Sequence, residues 1–158
     1  MVMLNRKVIA TDVTNLTDAR YFAARGVDYL LFNMSTLPID KALEIKEWVE
    51  GPELLLLFSK ESLQLVDEAI IRLSPAGISA HSKEEVTELS HLSAHVELFK
   101  WSADEITIDE LSYMSASHSD DIRAMPDHCG VIIYGGTETA VGMKSFDILD
   151  DILDTLEL

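Results

Sequence analysis

The chain has 158 residues, 47% of them hydrophobic, which is enough for one domain with a sizeable core. Its 28 acidic against 12 basic side chains give a formal charge of −16, which repels nucleic-acid phosphates and anionic membrane surfaces, with no basic patch to relieve it. One cysteine, Cys129, excludes an internal disulfide framework, and five scattered histidines offer no zinc-type spacing, so neither a metal nor a cofactor is expected.

Residues 7–34 read KVIATDV, TNLTDARYFAARG, VDYLLFNM. A β-branched run, an amphipathic helix and a second apolar run make the pattern of a parallel βαβ unit. Asn15 can cap the helix, Asp18 suits its first turn, and Leu16, Ala19, Phe22 and Ala23 share one face, with Gly26 at the end. The same plan repeats as helix 40–50, strand 53–59, helix 60–73 and strand 77–82. The inward helix positions are Ala42, Ile45, Trp48 and Val49, then Leu63, Val66, Ile70 and Leu73. Helix 83–92, with Ser82 and Glu85 as a capping box, leads to strand 96–101 and to a helix expected to start near Thr107. Residues 112–127 are polar and Ser-rich and end near Pro126, which suits a frayed helix or a loop. Strand 130–134, the turn GGTET and a helix over 144–156 close the chain. That helix has Ile148, Leu149, Ile152, Leu153 and Leu156 inward and Asp147, Asp150, Asp151 and Asp154 on a solvated face.

The strands are near-continuous apolar runs, as strands covered on both faces require. With no linker or composition shift, residues 1–158 form a single α/β domain of about six β/α units. A full barrel of this class has eight units and commonly about 250 residues. A contracted barrel with an open edge is therefore expected, or a homodimer that covers the edge through residues 111–126, with Tyr113 and Met114 exposed. The longest apolar run, residues 54–58, is too short to span a bilayer, and MVMLNRK lacks a signal peptide's apolar core, so a cytoplasmic location is expected.

In folds of this class the chemistry sits where strands end. Those positions hold Thr11 and Asp12, Asn33, Ser59, His81, Lys100, and Tyr134 with Gly135 and Gly136. A carboxylate, an imidazole, an amine and a phenol meeting at one mouth can do acid–base work, with Asp12, His81 and Lys100 as the catalytic candidates. Asn33 and Ser59 are more readily explained as caps or turn residues. Gly135, Gly136 and Thr137 ahead of the last helix can offer backbone NH groups to a phosphate or carboxylate, or simply make a tight exit from the strand.

Several segments together resemble the phosphoribosylanthranilate isomerase family. IATDVTNLTDAR, followed by AARGVDYLLF, is similar to the family's Lys-Ile-Cys-Gly-Ile-Thr-x-x-x-Asp-Ala and Gly-Ala-Asp-x-x-Gly-Phe. Tyr134-Gly135-Gly136-Thr137-Glu138-Thr139, with Gly142 and Lys144, resembles its Ser-Ser-Gly-Val-Glu and Pro-Gly-x-Lys. Ser79-Ala80-His81-Ser82 and Leu98-Phe99-Lys100 resemble Gln-Leu-His-Gly and Val-Ile-Lys. The likeness covers most of the chain except residues 112–127, where two β/α units are expected to be lost. It implies a shortened TIM-barrel-like fold, a link to tryptophan biosynthesis, and a small phosphorylated or carboxylated metabolite as ligand, with Thr11, Asn33, Tyr134, Gly135, Gly136 and Thr137 around it.

The family's reaction is an Amadori rearrangement with a cysteine base at the end of the first strand and an aspartate acid at the end of the sixth. Thr11 stands at the cysteine's position, the acid's strand is not found, and residues 35–39 lack the family's substrate arginine. The resemblance so corrected implies a relative that has lost the isomerase reaction and binds a small ligand or a protein partner. The alternative is an enzyme acting on a small sugar phosphate, with Asp12 as base and His81 or Lys100 as acid.

Overall fold

A computed structural model describes residues 3–81, 89, 96–102, 104–135 and 146–157. Strand β1 (Val8–Thr11), helix α1 (Leu16–Ala24), β2 (Tyr29–Asn33), α2 (Ile39–Trp48), β3 (Glu53–Phe58), α3 (Leu63–Leu73) and β4 (Gly77–Ala80) alternate as the hydrophobic periodicity requires. β1 to β4 are consecutive parallel neighbours. After them come β5 (Glu97–Leu98), β6 (Lys100–Trp101), β7 (Glu105–Ile108), β8 (Leu111–Ser115), α4 (Ser119–Ala124), β9 (Gly130–Tyr134) and α5 (Asp147–Leu156). The helix expected over 83–92 lies, apart from the helical and buried Leu89, outside the described residues.

The sheet runs β5-β4-β3-β2-β1-β9-β8-β7-β6. Its two ends, β5 and β6, are separated only by Phe99, whose NH donates to the Ile78 carbonyl of β4 (3.1 Å). One short segment therefore leaves β4 and joins β7, and the sheet is nearly closed into a barrel. All pairs are parallel except those of β7, which runs antiparallel to both β6 and β8. The fold is thus a mostly parallel, shortened (β/α) TIM-barrel-like one. Strands β1, β2, β3, β8 and β9 are followed in the chain by described helices, and Leu89 marks a further helical position after β4.

The helix expected near Thr107 is instead a β-hairpin. Ile106, Ile108 and Tyr113 alternate into the barrel interior, and the two-residue turn Asp109-Glu110 has φ of 53° and 63°. Consecutive left-handed residues make the type I′ geometry whose twist matches paired strands. The capping-box spacing misled because the apolar period here is two. Residues 112–127 are only in part the loop or helix expected. They complete β8 and form the short α4, where the Asp121 carboxylate accepts from the NH groups of Ser117 (2.8 Å) and His118 (3.1 Å).

An antiparallel stave therefore fills the space where a gap was expected, and among the described residues the sheet is nearly closed. Tyr113, expected to be exposed, is 2% exposed and packs inside the barrel, while Met114 does face solvent.

Two apolar layers follow from strand alternation. Ile9, Leu31, Leu55, Leu57, Phe99 and Ile132 fill the barrel. Residues one register away, such as Val8, Ala10, Leu30, Leu56 and Ile133, pack outward against Phe22, Ile45, Val66, Leu73, Ile152 and Leu153 of the helices. Three positions expected to be inward are exposed, namely Trp48, Leu63 and Ile148. Each lies in the first or last turn of its helix, past the contact with the wall; Trp48 instead carries the Arg20 guanidinium over its ring, 5.7 Å from the centroid.

The acidic face of α5 is also not wholly solvated. Asp150 and Asp154 hold Arg25 at the end of α1 (2.7 and 2.6 Å), and Asp150 accepts from the Tyr21 hydroxyl (2.5 Å). Burial, then the hydrogen bond to Asp150, pushes the Tyr21 phenol above its ordinary range.

Candidate active site at the barrel mouth

β1 ends at Thr11, whose side chain borders the mouth and whose carbonyl accepts from Gly135 NH (2.9 Å). Asp12 follows at φ 56°, a left-handed conformation costly for most residues and best tolerated by Gly, Asn and Asp. Glycine occupies this position in the family pattern that the segment resembles. The turn places Asp12 on the rim, where it stays exposed but partial desolvation of its carboxyl raises its pKa above the ordinary 3.8. On β2, Asn33 lines the mouth while its side-chain oxygen accepts from Ser35 NH (3.1 Å), so the turn and rim roles both hold. His81 leaves β4 with its NH on the Phe58 carbonyl (3.2 Å), and its ring meets the Trp101 ring edge to face, centroids 4.6 Å apart. Tyr134 stands beside Thr11 in the β1–β9 register.

These side chains and Ser102 surround a cavity of about 100 Å³ floored by Leu31, Leu57, Ile106 and Ile132. At roughly 30 Å³ per water, that is room for about three waters or one very small molecule. Wider clefts of about 570, 450 and 420 Å³ open at the opposite end of the strands, around Arg6, Ile45 and Gly26 respectively. Volume alone would favour them, yet the polar candidates gather at the mouth. At the far end Arg6 is already committed to the carbonyls of Pro126 (2.9 Å) and Cys129 (2.8 Å).

Of the catalytic candidates, the fold brings Asp12 and His81 to one rim and leaves Lys100 off it. Phe99 and Trp101 face inward, so Lys100 between them faces outward and is exposed. Ser59 also stays out of the lining; its NH donates to the Glu61 carboxylate in a turn. Gly136 and Thr137 lie outside the described residues.

Gly135 is buried where a Cβ would come 3.1 Å from Asp18 Oδ2 and 3.2 Å from Phe22 Cε2, so glycine here permits close approach of the β9 exit to α1. Asp18 is itself fully buried, with its NH on Asn15 Oδ1 (2.8 Å) and its Oδ2 receiving Asn15 Nδ2 (3.2 Å). Sequence reasoning gave Asp18 only a first-turn role and missed Trp101 and Ser102 at the mouth. The inward period Phe99, Trp101 was the available signal for the tryptophan.

Among the described residues no three His, Cys, Asp or Glu side chains are grouped to hold a metal ion, and no helix is long and apolar enough to cross a membrane. No family model and no curated protein matches the sequence. Solved structures do match. A phosphoribosylanthranilate isomerase in complex with reduced 1-(o-carboxyphenylamino)-1-deoxyribulose 5-phosphate superposes with a TM-score of 0.74 at 15% identity, over 95% of this chain and 97% of that one. The chain has the phosphoribosylanthranilate isomerase fold. The Pyrococcus furiosus enzyme gives a TM-score of 0.65 at 14% identity, covering 95% of this chain and 98% of its own. Monomers of the dimeric Thermotoga maritima enzyme give 0.61 at 17%, with 95% and 97% covered.

Within this isomerase fold Thr11 ends the first strand, where the family pattern has cysteine. The chain's one cysteine, Cys129, lies beside Arg6 at the other end of the barrel.

Proposed function

We propose that this chain is a divergent relative of phosphoribosylanthranilate isomerase that has lost the isomerase reaction and keeps the barrel mouth to bind a small ligand. One observation carries the reading: the mouth that should hold substrate offers about 100 Å³, whereas sites for drug-sized ligands run to about 300–1,000 Å³. Thr11 at the end of β1 supports it, because an unactivated hydroxyl does not serve as a general base near neutral pH. A cytoplasmic, cofactor-free protein fits the same reading. Within it, the resemblance favours a small phosphorylated or carboxylated metabolite at the Gly135 turn. Equilibrium dialysis and thermal shifts with phosphosugars and tryptophan-pathway metabolites test it, and the absence of saturable binding by any small molecule would count against it.

The second reading, an enzyme of altered chemistry on a small sugar phosphate, draws support from Asp12, whose raised pKa and strained backbone suit a base, with His81 as acid. An Asp12→Asn variant that abolishes a measured turnover would favour it. A homodimer through residues 111–126 now has only the outer surface of β8 and α4 to use, around Met114. Sedimentation at micromolar concentration separates the 17.6 kDa monomer from a particle of twice that mass.

A further inference from the structure

We propose that Trp101 sets the size of the ligand at the barrel mouth: its indole closes the side where the two ends of the sheet meet and shuts out carboxylates larger than acetate. This rests on the small-ligand reading of the same mouth and names both the residue that limits the ligand and the size admitted.

The first observation is where the ring sits. The β4–β5 ladder pairs Gly77 with Glu97 and Ile78 with Leu98, and Phe99 NH then reaches the Ile78 carbonyl (3.1 Å). The next strand, β6, carries Trp101 and pairs with β7 instead. At the level of the mouth, the seam between the sheet ends is therefore bridged by side chains: the Trp101 indole meets the His81 ring edge to face, centroids 4.6 Å apart.

The second observation is size. The alternation that turns Lys100 outward turns Trp101 inward, and its ring lines the same cavity as Thr11, Asn33 and Tyr134. The space left beside it is about 100 Å³. A cavity of about 150 Å³ takes benzene, about six non-hydrogen atoms, so on the same scale the mouth takes about four, the size of acetate. Trp101 is also only half-buried, held by an aromatic contact at the rim rather than locked in the core, so its removal spares the packed interior.

Third, the floor gives the limit a readable sign. Leu31, Leu57, Ile106 and Ile132 make it apolar. Without a size limit, each methylene added to a carboxylate's tail and buried on that floor tightens binding about fourfold. With the indole in place the added methylene finds no room, and forcing it in costs more than its burial returns. The direction of affinity along a series of carboxylates of equal charge therefore reads the limit directly.

Calorimetry and thermal shift on the full chain, at constant ionic strength, test the proposal with sodium acetate, butyrate and benzoate, and with sodium phosphate beside them. The parent should bind acetate saturably and the two larger carboxylates about tenfold more weakly, whereas Trp101→Ala should reverse the order, with benzoate gaining about tenfold over the parent. Trp101→Phe, which keeps a ring against His81, should hold the parent's order. His81→Ala, which frees the indole, should fall between, so the limit is readable even where Trp101→Ala does not fold. In a Trp48→Phe background Trp101 is the one tryptophan of the chain, and acetate should change its emission, which a tryptophan of purely structural role would not show. Affinity that rises from acetate to benzoate in the parent, or an order that neither Trp101→Ala nor His81→Ala changes, overturns the proposal and leaves the small-ligand mouth standing. Phosphate binding with every carboxylate inert does the same, whereas failure of all four probes on parent and variants overturns both.

Discussion

Tyr113 and Gly130 face each other across the β8–β9 pair, and the tyrosine ring occupies the space that a Cβ at position 130 would need. This contact sits beside the antiparallel β7–β8 hairpin of the wall, so it reports on whether the barrel is closed there. Gly130→Ala should cost about 1–3 kcal/mol, the usual penalty for overpacking a filled core. Tyr113→Leu in the same background should recover part of that loss. Urea unfolding of the two single variants and the double variant measures the coupling, and additive losses would mean that the ring does not lie over Gly130.

The hairpin that completes the wall turns through two non-glycine residues in the left-handed region, Asp109 and Glu110. Left-handed geometry costs an L-residue roughly 1–2 kcal/mol, less for aspartate than for glutamate. Glu110→Gly should therefore stabilise the protein by about 1 kcal/mol in the urea midpoint. A helix in this segment would instead be weakened by the same glycine. The tip is also tied to β5 by Asp109 NH on the Glu97 carboxylate (2.9 Å), so Glu97→Ala should loosen the hairpin and increase its amide exchange.

Asp12 makes stability depend on pH in an unusual sense for a carboxylate. Partial desolvation raises its folded pKa above 3.8, so its favourable contribution is complete below pH 3.8 and is lost as pH rises through the raised value. At neutral pH the ionised group weighs against the folded state. Asp12→Asn should raise the melting temperature at pH 7, and the advantage over the parent should vanish on acidification below pH 3.8. An advantage that persists unchanged at low pH would locate the effect in the backbone rather than in the charge.

Much of the fold was legible because burial on two sides writes itself as continuous apolar strands, and β1 to β4 with their helices follow that rule. Asn15 announced its cap, and Gly130 to Tyr134 matched the strand to the residue. The antiparallel β7 was not legible, because Thr107 and Glu110 mimic a helix start and Asp109-Glu110 lacks the glycine that marks a type I′ turn. Closure was hidden for a related reason: the short segment around Phe99 serves two neighbours, which no local pattern records. Of the strand-end residues, Thr11, Asp12, Asn33, His81 and Tyr134 lie around the one cavity, while Lys100 lies on the outer face because one register step in a strand exchanges the inner face for the outer.

The most direct test is steady-state turnover of phosphoribosylanthranilate by the purified chain, with the Asp12→Asn variant beside it. A mouth of about 100 Å³ with Thr11 at the base position predicts no isomerisation above the uncatalysed rate for either protein. Saturable turnover by the parent, lost in Asp12→Asn, would contradict the account and make this chain an isomerase with a displaced base.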